Sequence, residues 1–248
     1  MKTSYFSKIL LTSSIVLTSI GLVEQSIPLS SNVVFASETK EFTNLNEATE
    51  WGNKLIKEAN YSSSDKTAIY EYTKNSSVLN EPLRNSNGLI DNLSPTLQDK
   101  IRKLDSVINK TSTPEQIIVH RLLNLDYLTS IDGFTDEDFH NLQNTNDGKY
   151  DKQIVNKLHN MMNSKIYREN GYSSTQLVKG AALAGRPIEL KIELPKGTKA
   201  AYIDSKDLTA YPGQQELLLP RGTEYAINKV YLSDDEKRII IEAIAFKK

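Results

Sequence analysis

The apolar positions of this chain change their spacing near the middle. Between Asn44 and about Asn109 they recur at intervals of three and four: Leu45, Ala48, Trp51, Leu55 and Ile56 in one segment, Leu97, Ile101, Leu104 and Ile108 in another. That spacing gathers side chains on one helical face, so both segments are expected as amphipathic helices. Ser64 and Asp65 read as caps of a helix carrying Ala68, Ile69 and Tyr72, and Ser94 as the cap of one that begins with Pro95. A further helix fits Asp151 to Ser164, with Ile154, Val155, Leu158, Met161 and Met162 on its buried side.

Strand-like runs follow the helices. They are Gln116 to Leu122, Gly171 to Gln176, Ile188 to Leu194, Lys199 to Ile203, Gln214 to Leu219, Glu224 to Tyr231 and Arg238 to Phe246. Helices first and strands later, without regular alternation, predict an α+β fold: N-terminal helices packed on a mostly antiparallel, two-sheet β-sandwich core. Ahead of all this stand Lys2 and Lys8, an apolar run from Ile9 to Val23, and Val34-Phe35-Ala36. A basic start, a short apolar run and small residues before a cut describe a secretory signal peptide. The run falls short of the roughly 20 apolar residues of a membrane span. Residues 1–36 are therefore expected to be removed, leaving 37–248 as a single domain.

Composition narrows the chemistry. With 30 Lys+Arg against 31 Asp+Glu and a net charge of -1, the chain has no general attraction for phosphate backbones, and nucleic acid is not expected as a partner. The absence of cysteine removes disulfide scaffolds, thiol nucleophiles and Cys-based metal sites together. His120, His140 and His159 lack ligand spacing, and the common loops for nucleotides, dinucleotides, zinc proteolysis and serine hydrolysis are missing. No metal is expected.

Three segments could carry chemistry. Alternation along Gln116 to Leu123 places Arg121 in line with Ile117 and Val119, where a guanidinium needs an anion: a structural carboxylate, or a ligand phosphate or carboxylate. Tyr172-Ser173-Ser174-Thr175-Gln176 is a short polar strand. Pro212-Gly213 makes a turn, after which Gln214-Gln215-Glu216 enters a leucine run apolar on both faces, as in a strand buried on both sides. Alternation there puts Gln214, Glu216 and Leu218 on one face.

Arginine on one strand, Ser174-Thr175-Gln176 on a second and Gln214-x-Glu216 entering a third resemble the signature of asparagine- and arginine-directed ADP-ribosyltransferases. With Ala184-Gly185-Arg186-Pro187 and the segment Gln214 to Arg221, the chain closely resembles the staphylococcal and clostridial Rho-modifying exoenzymes, from about Phe42 to Lys248. The resemblance implies a secreted, toxin-like enzyme that acts in host cytosol as a monomer. It would transfer ADP-ribose from NAD, its co-substrate, to an asparagine of Rho-family small GTPases, with no stable membrane insertion.

The resemblance also implies roles. Glu216 is the catalytic glutamate, Ser174 orients it, and Thr175, among the NAD-binding residues, supports the pocket. Arg121 holds the NAD pyrophosphate, with Asn80, Arg84 and Arg186 as further contacts. Gln214 faces the acceptor asparagine, and Tyr211 offers an aromatic contact to the GTPase. The chain departs from the pattern at Gln176, where the family has serine, at Leu183, where clostridial relatives have an aromatic, and at Leu122-Leu123, where they have Gly-Asp. The alternatives are an NAD glycohydrolase without a protein acceptor and a GTPase-binding module without catalysis.

Overall fold

The first helix forms where its spacing predicts, and its ends show why it stops there. In this computed structural model, which describes residues 39–143 and 147–246, α1 spans Leu45–Ala59. The Asn44 side chain accepts from the N–H groups of Asn46 and Glu47, and Asn60 in a left-handed conformation ends the helix. α2 (Ser63–Lys74) is capped by Ser62 rather than Ser64. Asp65 is the other half of a capping box, its carboxylate accepting from Ser62 N–H at 2.8 Å. α4 (Pro95–Ile108) starts from Ser94 and Pro95 as expected, and α6 (Lys152–Met162) from Asp151. Two helices escaped the periodicity: α3 (Ser77–Asn85), with Pro82 inside it, and the short α5 (Asp136–Gln143). Residues 1–36, expected as a signal peptide, lie outside the described residues.

Among the described residues nine strands form the sheet, eight of them along one hydrogen-bonded path. They are β1 (Lys40–Glu41), β2 (Ile117–Leu123), β3 (Ile166–Glu169), β4 (Ser173–Gln176), β5 (Ile188–Leu194), β6 (Ala201–Tyr202), β7 (Glu216–Leu219), β8 (Thr223–Leu232) and β9 (Ile239–Ala245). Their order is β3-β8-β9-β5-β2-β4-β7-β6, with β1 on β2. β1–β2 and β5–β9 are parallel and the other pairings antiparallel. β2 pairs with β5 along its whole length but with β4 only at His120 and Gln176. The expected two sheets are thus joined through one pair of residues.

The core forms two hydrophobic clusters. α1 and α6 supply Trp51, Leu55, Val155, Leu158 and Met162 to a cluster with Val119, Leu190, Ile227 and Ile241. α2, α3 and α4 supply Ile69, Leu79, Leu83, Ile101 and Leu104 to a second, with Tyr172, Ile203 and Leu218. β7 lies between them: Leu217 and Leu219 enter the first cluster and Leu218 the second, so the leucine run is buried on both faces as its sequence predicts. Burying each such leucine contributes about 2 kcal/mol. Gly52 lets α1 meet β6 closely, since a Cβ there would collide with the Tyr202 ring.

Candidate active site

β2, β4 and β7 bring their polar residues to the wall of one cavity of about 380 Å³, which α3 closes from the other side. Arg121 comes from β2, Ser174 and Gln176 from β4, Glu216 from the start of β7, and Asn80 and Arg84 from α3; Leu183, Arg186 and Gln214 come from loops. A larger cavity of about 570 Å³ between α2, α3 and α4 shares Tyr72 with it but contains none of Arg121, Ser174 or Glu216. Chemistry, not size, singles out the first.

Register explains the meeting of Ser174 and Glu216. In the antiparallel β4–β7 pair, Ser174 lies opposite Leu218 and Gln176 opposite Glu216, so Ser174 and Glu216 share a sheet face as diagonal neighbours. Glu216 is only 7% exposed. Burial raises its carboxyl above the ordinary glutamate value; a hydrogen bond from Ser174 opposes the rise and the negative charge of Asp204 adds to it. Thr175 points the other way, fully buried, and its hydroxyl donates to Leu217 O at 2.6 Å. It supports β7 and does not line the cavity, contrary to its expected place among the NAD contacts.

Gln214 also departs from expectation. It precedes β7 instead of belonging to it, because Gln215 takes a left-handed backbone (φ 54°) that breaks the alternation. The turn is held from below by Asp204, whose carboxylate accepts from Gly213 N–H at 2.6 Å and Gln215 N–H at 2.8 Å. Gly213, at φ 94°, occupies a conformation that side chains oppose. The Gln215 side chain turns inward, accepting from Tyr202 hydroxyl at 3.1 Å and donating to Thr49 of α1 at 2.9 Å. Gln214 and Glu216 therefore reach the same cavity by a turn. Tyr211, 54% exposed, stands outside it.

The cations have a partner that sequence reasoning missed. Glu169, at the end of β3, takes Arg84 through Nε at 2.9 Å and Nη2 at 3.1 Å, and Arg121 Nη2 at 3.2 Å. It also accepts from Gly171 N–H at 2.8 Å. Burial works against the Glu169 carboxylate, but the Arg84 hydrogen bonds, both guanidinium charges and Gly171 outweigh it and hold its pKa below the ordinary value. Arg121 also donates to Ser173 hydroxyl at 2.8 Å. Its guanidinium thus has a structural carboxylate and still reaches the cavity wall. The available signal was the β-prone run Ile166-Tyr167 before Asn170-Gly171, too short to separate from a loop.

Asn80 and Arg186 are braced as well as placed. Asn80 accepts from Tyr172 N–H at 2.8 Å and donates to Tyr72 hydroxyl at 3.2 Å, fixing the entry to β4. Arg186 donates to Leu122 O at 2.9 Å. Of the histidines, His120 is buried with Nδ1 2.9 Å from Glu189, and His159 Nδ1 accepts from Val230 N–H. Among the described residues no group of acidic or histidine side chains could hold a metal, and no helix is long and apolar enough to cross a membrane. Three arginines, a hydroxyl and a buried carboxylate around one cavity suit a ligand with a pyrophosphate and a ribose.

Comparison with known proteins agrees with this chemistry. Residues 48–248 match the model of the ADP-ribosyltransferase exoenzyme family. The chain is 62% identical to an epidermal cell differentiation inhibitor of Staphylococcus aureus over the full length of both. It is 36% identical to a mono-ADP-ribosyltransferase C3 of Hathewaya limosa, over 85% of this chain and 80% of that one. The crystal structure of C3stau2 from S. aureus, solved with NAD, is similar with a TM-score of 0.84 and 68% identity, covering 86% of this chain and all of that one. That of the Clostridium limosum C3 exoenzyme has a TM-score of 0.77 and 36% identity, over 86% of this chain and 99% of that one. With this cavity at the junction of its sheets, the chain belongs to the ADP-ribosyltransferase exoenzyme family, whose reaction takes ADP-ribose from NAD.

Proposed function

We propose that this protein is exported and transfers ADP-ribose from NAD to an asparagine of Rho-family small GTPases in the cytosol of a host cell, inactivating them. The observation that carries the reading is the convergence of Gln214 and Glu216 on one cavity with Arg121 and Ser174. NAD supplies an ADP-ribosyl group joined to a cationic nicotinamide, which leaves neutral with the bonding electron pair. The acceptor carboxamide nitrogen forms the new bond and gives up a proton.

This chain's side chains divide the work. Glu216 hydrogen-bonds a hydroxyl of the nicotinamide ribose, and its charge offsets the positive charge that develops on that sugar. Ser174 orients Glu216. Arg121, Arg84 and Arg186 bind the pyrophosphate, for which a guanidinium fork has matching geometry. Gln214 reads the asparagine, since a carboxamide can both donate to and accept from another, and exposed Tyr211 meets the body of the GTPase. Export follows from the segment 1–36, with cleavage after Ala36.

Incubating the purified protein with labelled NAD and a host-cell lysate tests the reading, followed by mass spectrometry of purified Rho. A labelled band of GTPase size, with the label on asparagine, is the expected result. Free ADP-ribose alone would indicate a glycohydrolase, and no turnover a binding module. Sequencing the amino terminus of the secreted protein checks the cut.

A further inference from the structure

The segment between β4 and β5 carries two cavity residues, Leu183 and Arg186, on a backbone that is costly to hold. Leu183 has φ 57°, the left-handed region that a branched aliphatic side chain seldom occupies, and half of its surface is exposed. A non-glycine residue stays there only when its surroundings leave no alternative. Its neighbours on both sides are fastened. The Gln176 amide donates to Ala182 O at 2.8 Å and accepts from Ala182 N–H at 3.1 Å. On the far side Arg238 donates to Ala184 O, and Arg186 N–H donates to Leu183 O at 2.9 Å.

We infer that Gln176 is a positioning residue for NAD binding, its amide closing a two-point clasp that holds Leu183 and Arg186 against the cavity before NAD arrives. The inference rests on the assignment of that cavity to NAD. Gln176 is buried, and both ends of its amide are used on the same residue, which is how a carboxamide fixes a backbone's orientation as well as its position. A serine there, as in the family pattern, is two heavy atoms shorter and cannot span to Ala182 in both directions. In this chain, a longer side chain thus takes over the ordering of the loop. Without the clasp the loop samples other conformations, and apparent affinity falls by the fraction of time the competent one is populated. The reacting groups Glu216 and Ser174 are untouched, so the loss falls on binding more than on turnover.

The test uses Gln176→Ser and Gln176→Met, the second keeping the side-chain volume while removing the amide. Amide hydrogen exchange across residues 177–187, measured without NAD, is expected to quicken in both variants and to stay unchanged in β5 and β9. In steady-state nicotinamide release, KM for NAD is expected to rise about tenfold with kcat within about threefold of the parent. Unchanged exchange in 177–187, or an unchanged KM, overturns the proposal. So does a fall in melting temperature with faster exchange throughout, which would make Gln176 a packing residue. The parent protein's own NAD turnover, in the same assay, tests the cavity assignment separately.

Discussion

Glu169 and Arg121 are joined at 3.2 Å across the gap between β3 and β2, strands that do not pair with each other. The carboxylate holds the guanidinium in place at the cavity wall. If Arg121 binds the pyrophosphate, its planar fork is required, and Arg121→Lys substitutes a point charge. Calorimetry is expected to show NAD affinity reduced about tenfold. Unchanged affinity together with reduced stability would confine Arg121 to the pairing with Glu169.

Glu216 is expected to separate stability from activity. Its carboxyl is raised by burial, so the folded state binds the proton more tightly than the unfolded chain. Stability therefore falls as pH rises from the ordinary glutamate value of about 4.3 through the raised folded value. Above that window the ionised group costs stability, which Glu216→Gln recovers. The variant should melt at or above the parent temperature at pH 7 and match it near pH 4. Transfer is expected to fall by at least about a hundredfold, because the charge that stabilises the sugar is gone. Lower stability at pH 7, or near-normal transfer, would count against the assignment.

Gln214 and Gln215 are adjacent but should behave as different kinds of residue. Gln214→Glu can only accept hydrogen bonds while ionised, so asparagine modification is expected to disappear while slow hydrolysis of NAD by water continues. Gln215→Ala removes the ties to Tyr202 and Thr49, and both activities should fall together with the melting temperature. A paired assay, labelled transfer to Rho beside nicotinamide release without it, distinguishes them. Equal loss of both activities in the Gln214 variant would make it part of the NAD site.

Asp65 is expected to set part of the acid limit of the fold. Buried at the start of α2, it accepts from Ser62 and pairs with Lys103 at 2.8 Å and Lys110 at 2.6 Å. Burial opposes its charge, but the two ammonium groups and Ser62 outweigh it and hold the carboxyl well below the usual carboxylate range. The stabilisation is complete above the unfolded value of about 3.9 and is lost as pH falls through the folded one. Asp65→Asn should cost about 2 kcal/mol in urea denaturation at pH 7, with the gap closing in strong acid. A gap independent of pH would contradict this.

Long periodic segments were legible because their information is local. Trp51, Leu55, Leu104 and Leu158 repeat at helical spacing, and each lies in a core where that spacing predicts. Leu217 to Leu219 announced a strand buried on both faces. The resemblance carried by Arg121, Ser174, Glu216 and Arg186 led to one cavity, since β2, β4 and β7 are neighbours in the sheet. α3 was missed because nine residues with an internal proline give little period to read.

What tertiary structure alone decided were the places where distant segments correct one another. Alternation put Gln214 on a strand, but the Asp204 hydrogen bonds and the inward pull of Tyr202 and Thr49 on Gln215 turn the backbone instead. Thr175 shared a motif with Ser174, yet adjacent residues of a strand face opposite ways, and only the packing of β4 shows which faces the cavity. Glu169 is separated from Arg121 by 48 positions and from Arg84 by 85. Pairing at such separations leaves no period in the chain, so the sequence by itself determined the long periodic elements and the residue types of the signature, but not α3, α5 or Glu169. The fold decided which charges meet, because burial and proximity are properties of the packed molecule.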